Sequence, residues 1–230
     1  MQNLIALFTK SKRTQITLWL ATSVFICLAM VQFRIVISGV YYFKFLVWNM
    51  FLAVIPFGVS SVTRVLFQTK PSKIILASGI LFWLLFFPNA PYILTDLFHL
   101  RRYHGVPFWY DLLLILSFGC TGLMLGYASL VDFHTIITKA YNKFIGNIFV
   151  ISSLLLSGFG IYLGRFERWN SWDIVSNPKG LAKDILKPVL YPTQNLRVWY
   201  ITIAFALFLI IGYYTIRQLN KLAIITEQNK

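Results

Sequence analysis

The feature that most constrains this chain is a succession of apolar runs, several of which approach or exceed the roughly 18–20 residues that cross a bilayer core. They lie at about 16–31, 43–67, 74–87, 108–131, 144–164 and 198–216. None alternates apolar with polar residues, so a barrel is excluded. The expectation is an all-α polytopic membrane bundle of about six transmembrane helices, with residues 1–230 forming a single transmembrane domain. One helix should be broken between Pro88 and Pro91, and Pro56 should kink another. Only 12% of residues are charged, about half the share in a soluble domain.

The net charge of +14 comes from 21 basic residues against 7 acids. The basic residues sit in short connections, where they act as topology signals and meet anionic headgroups. No basic stripe lies on a soluble domain, so nucleic acid is not an expected partner; membrane lipids, anionic ones first, are. Cys27 and Cys120 lie in separate apolar runs and read as packing residues. Met1 to Arg13 reads as a short amphipathic lead rather than a cleavable signal. Basic residues divide almost evenly between the two faces. Lys10, Lys12 and Arg13 before the first span favour cytoplasmic termini.

On that topology, unusual polar residues gather on the face opposite the termini: Asn49, Asn89, Thr95, Asp96, His99, Asp111, Arg165, Glu167, Arg168, Asn170 and Asp173. The stretch from Phe87 to Leu100 is the sharpest signal. Pro88 and Pro91 cannot donate backbone hydrogen bonds, and Asn89 reads as the N-cap of a restarted helix. On it Tyr92, Thr95, Asp96 and His99 fall at i, i+3, i+4 and i+7 and share a face. Asp96 and His99 also have the spacing of two metal ligands, so a divalent metal is a candidate cofactor. Asp111 needs a partner, which Arg165 or Arg168 could supply. Those arginines could also grip a phosphate, with Trp169 and Trp172 framing an apolar tail or a sugar. His134, beside Asp132, reads as a solvated loop histidine. Leu181 to Leu190 reads as a segment lying in the interface plane. Gly122 with Gly126, and Gly160 with Gly164, have small-xxx-small spacing that would let their two helices approach each other.

Trp48-Asn49 with Pro56, Pro88-Asn89-Ala90-Pro91-Tyr92 through Asp96 and His99, Tyr110-Asp111, and Gly160 to Asp173 together resemble the bacterial membrane proteins known as DUF1361. The resemblance implies a multi-pass protein of the bacterial cell membrane and carries no catalytic role. Two functions follow from the residues. One is a binding protein whose one-sided cleft takes an anionic lipid or lipid-linked substrate through Asn49, Asn89, Tyr92, Arg165, Glu167, Arg168, Trp169, Asn170 and Asp173. The other is an intramembrane hydrolase or transferase in which Asp96, His99 and Asp111 bind a metal or act as acid and base.

Overall fold

The computed structural model describes residues 12–101 and 105–228. Lys10 and the rest of the lead up to Ser11, the loop residues Arg102, Tyr103 and His104, and Lys230 lie outside them. The described chain is helical, with six segments long and apolar enough to cross a membrane. In order they are α1 (Lys12–Ser38), α2 (Lys44–Thr69), a broken third segment, α5 (Phe108–Ala140), α6 (Lys143–Arg165) and α9 (Leu196–Gln228). The third segment consists of α3 (Lys73–Phe86), the single turn α4 (Asn89–Tyr92) and a 3-10 stretch, Ile93–His99. Between α6 and α9 lie the short α7 (Asp173–Ser176), α8 (Pro178–Leu190) and a 3-10 turn, Pro192–Asn195. Pro56 sits inside a continuous α2.

α3 alone has 14 residues, which reach only about 21 Å at 1.5 Å per residue, short of the roughly 30 Å hydrocarbon core. The crossing is finished by α4 and the 3-10 stretch. The third span therefore continues beyond Phe87 through the break to His99, as the two prolines led one to expect, and the break lies inside the bundle: Phe87, Ala90 and Ile93 are buried. The break leaves carbonyls without their helical donors. The Ser171 hydroxyl donates to the Leu85 carbonyl (3.0 Å), and Asn89 Nδ2 donates to the Phe86 carbonyl (3.0 Å). Asn89 thus closes the end of α3. It does not cap α4, whose N-cap position is held by Pro88.

Close packing holds the broken segment. A Cβ on Gly122 would lie 2.6 Å from the Ala90 carbonyl oxygen, and one on Gly126 3.1 Å from Ala90 Cβ. On the other side a Cβ on Gly160 would lie 2.7 Å from Pro88, and one on Gly164 3.0 Å from Tyr92. The two glycine pairs therefore clamp the break between α5 and α6 instead of meeting each other. Gly122→Ala should lower stability by about 1–3 kcal/mol, the usual cost of overpacking. Gly58→Ala, where an added Cβ meets nothing within 4 Å, should be neutral or mildly stabilising because alanine favours helix. Thermal unfolding midpoints in detergent check the contrast.

α5 is the central helix, packed against α1, α2, α4, the 3-10 stretch and α6. It continues past Val131 to Ala140 and buries Asp132 and His134, so neither lies in a solvated loop. Asp132 accepts from Arg13 (2.6 Å), Ser60 (2.9 Å) and Arg64 (3.4 Å). At the other membrane face Arg34 Nε and Nη2 donate to Asp111 Oδ1 (2.7 Å) and Oδ2 (3.1 Å), both side chains about 1% exposed. Arg13 and Arg34 are twenty-one positions apart on α1, and Asp111 and Asp132 the same on antiparallel α5. That is about 32 Å of helix, so one ion pair staples α1 to α5 at each edge of the apolar slab.

Candidate functional site

On the face opposite the start of α1, a cavity of about 280 Å³ opens between α2, the broken span, α6 and the segment that follows α6. Its floor is leucine and proline: Leu52, Leu84, Leu85, Pro88 and Leu163. Its upper wall carries Asn49, Asn89, Tyr92, Trp48, Trp169, Asn170 and Ser171. Leu181 and Ile185 of α8 close one side. α8 is capped by Asn177, whose Oδ1 accepts from the Gly180 N–H (3.1 Å), and Pro178 stands in its first turn. Lys179, Lys183 and Lys187, spaced by four, are exposed, which gives α8 the amphipathic character of an interfacial helix.

The roof is tied down. Trp169 Nε1 donates to Asp184 (2.9 Å), and the Trp172 ring meets Trp48 edge-on at 5.9 Å. Asp173 accepts from the Asn170 N–H and the Ser176 hydroxyl, each at 2.7 Å. The Asn170 amide, with the Ser176 hydroxyl, holds its carboxyl below the usual carboxylate range. Asp173 therefore shapes the loop and does not line the cavity. Asn49 Nδ2 donates to Asp96 Oδ2 (2.8 Å), and Asn89 Nδ2 donates to Ser171 Oγ (2.9 Å) as well as to Phe86. Among the described residues, neither Oδ1 of these two asparagines has a hydrogen-bond partner. The cavity is thus apolar below, aromatic at its sides and supplied with amide acceptors.

Beside it, a single guanidinium reads the face of the broken span. Arg165 donates from Nε to Thr95 Oγ1 (2.9 Å), from Nη1 to His99 Nε2 (2.9 Å) and from Nη2 to Asp96 Oδ1 (2.7 Å). It also lies over the Tyr92 ring, 4.9 Å from its centre. Tyr92, Thr95, Asp96 and His99 do share a face, and what fills it is Arg165. Because an arginine only donates, His99 Nε2 is the acceptor in this contact. Arg165 is thereby engaged and does not face the cavity. Arg168, at φ 63° and exposed, does not line it either, and exposed Glu167 accepts from the Tyr162 hydroxyl (2.5 Å). The expected pair of arginines gripping one phosphate is not formed.

Asp111 is paired with Arg34 rather than with Arg165 or Arg168, in a bridge separate from Asp96 and His99. The three candidate catalytic groups therefore do not form one constellation. Nor do Asp96 and His99 fit a metal ion, because Arg165 donates to both. Among the described residues, no three His, Cys, Asp or Glu side chains come together. Ser171 and Arg34 went unrecognised in the sequence. Arg34 could have been found as the buried countercharge on the same face as Asp111.

Searches of curated proteins and of solved structures give no match. A comparison with protein families matches residues 48–211 to the family described as "Protein of unknown function (DUF1361)". That stretch runs from Trp48 in α2 through α8 and the cavity into the first half of α9, so the clamped break and its roof belong to the matched part, and the chain is a member of the DUF1361 family.

Proposed function

We propose that the protein is a lipid-recognition protein of the bacterial cell membrane. Its cleft, on the extracytoplasmic side with the termini cytoplasmic, takes an amphiphile with a hydroxyl-bearing head, such as a lipid-linked sugar. The observation that carries this is the cavity's composition. Unengaged carboxamide oxygens of Asn49 and Asn89 suit hydroxyl donors, the Trp48 and Trp169 indoles suit the C–H faces of a sugar, and the leucine floor suits an alkyl chain. A largely apolar pocket with a few placed polar groups is the usual make-up of a small-molecule site. Both nearby arginines are occupied or turned out, which favours recognition through hydroxyl groups over recognition of a charge.

The test is to identify, by mass spectrometry, the lipids that accompany the protein through detergent purification. The wild type should retain a hydroxyl-rich amphiphile. Leu163→Trp, which fills the floor, should lower it by about tenfold, as expected for removing roughly 1.4 kcal/mol of binding. An unchanged lipid profile in a folded Leu163→Trp protein would refute the reading.

A further inference from the structure

A second cavity, of about 170 Å³, opens at the other end of the bundle between α5 and α9. It contains the His134 ring and Tyr213, both about 2% exposed, together with Arg217, Asn220 and Thr135. Arg217 Nη1 lies 2.7 Å from His134 Nδ1, and the Tyr213 hydroxyl lies 2.8 Å from the same nitrogen. An arginine only donates, so the histidine nitrogen is an acceptor and brings no negative charge. Among the described residues, no carboxylate pairs with Arg217. Asp132, the nearest acid along α5, is held by Arg13 and Arg64. A guanidinium at the edge of an apolar slab is stabilised by a countercharge, because charges there are costly when unpaired. Arg217 Nη1 also lies 3.2 Å from Nε2 of the same ring, so among the described residues the Nε and Nη2 N–H groups remain for an acceptor. The Asn220 amide stands one turn on, and exposed Lys221, four residues from Arg217, adds positive charge. Val131 and Ile216 supply an apolar wall beside these groups.

We infer that this cavity is a second, separate site that binds a phosphate monoanion at the headgroup level of the leaflet facing the start of α1. Arg217 supplies the charge, Asn220 an amide, and Val131 and Ile216 contact the adjoining carbon chain. The inference does not depend on the cleft on the other face.

Full-length protein in detergent is titrated with phosphatidylglycerol and with phosphatidylcholine and followed by native mass spectrometry. In parallel, its unfolding midpoint is measured with and without inorganic phosphate. Phosphatidylglycerol adducts preferred over phosphatidylcholine, weakened about tenfold or more in Arg217→Gln and partly kept in Arg217→Lys, would establish a lipid phosphate. A midpoint raised by inorganic phosphate alone, and not in Arg217→Gln, would establish the same site for a free anion. Asn220→Asp sets a carboxylate one turn from Arg217 and should expel the anion, which serves if Arg217→Gln does not fold. Leu163→Trp should leave these adducts unchanged. Equal adducts in the wild type and both Arg217→Gln and Asn220→Asp, with no phosphate effect, would overturn the assignment.

Discussion

Replacing Arg34 with leucine should cost about 3–5 kcal/mol of stability, the range for stripping one partner from a buried ion pair. Both side chains are about 1% exposed, and the bridge is bidentate at 2.7 and 3.1 Å. Without Arg34 the Asp111 carboxylate is left beside Leu114 and Ile115, both fully buried, with no other described donor. The double variant Arg34→Leu/Asp111→Leu should recover most of the loss, because the desolvation of both charges disappears with them. Arg13→Gln at the opposite face should be milder, since Asp132 keeps Arg64 and Ser60. Chemical unfolding in detergent, read as a double-mutant cycle, measures the coupling. A single-variant loss below about 1 kcal/mol, the level of solvated pairs, would mean that water reaches Asp111.

These pairs also show where sequence reading stops. Six spans were legible because bilayer thickness fixes the length of an apolar run, and the break was legible because two prolines remove two donors. The neighbourhood of Tyr92, Thr95, Asp96 and His99 followed from helical spacing; in 3-10 geometry only i+3 neighbours align, which pairs Tyr92 with Thr95 and Asp96 with His99, and Arg165 reaches both rows. The partners were not legible from local sequence; only the topology puts Arg34 on the same face as Asp111. Asp111 finds Arg34 across 77 positions and Asp132 finds Arg13 across 119, and nothing local marks either match. For the same reason the end of α5 was misplaced. Asp132 reads as the close of a span when it is alone and as an interior residue once two arginines hold it. The glycine spacings indicated close approach but not to what. Their contact is the broken span, whose path depends on packing across three helices.

Arg165→Gln should be the second most disruptive change, and it should reach the cleft as well as the fold. It removes the donor to Asp96, whose carboxylate is about 1% exposed, leaving only the Asn49 amide on it, at an expected cost of about 3 kcal/mol. It also frees Thr95 and His99 and so loosens the 3-10 stretch from α6. Asp96→Asn should be clearly milder. Arg165 keeps Thr95 and His99, and its side chain, about 11% exposed, is near enough to the surface to extend its head toward water. The asymmetry carries over to the cleft. Asn49 is oriented by Asp96 (2.8 Å), and a carboxylate without its arginine is no longer held in place, whereas a carboxamide at the same position still accepts from Asn49. Amphiphile retention should therefore fall in Arg165→Gln and largely persist in Asp96→Asn, read beside unfolding midpoints of the same preparations. If Asp96→Asn proves equally or more damaging, Asp96 acts through its charge and not as an acceptor that positions Asn49, and the coupling of this network to the cleft falls with it.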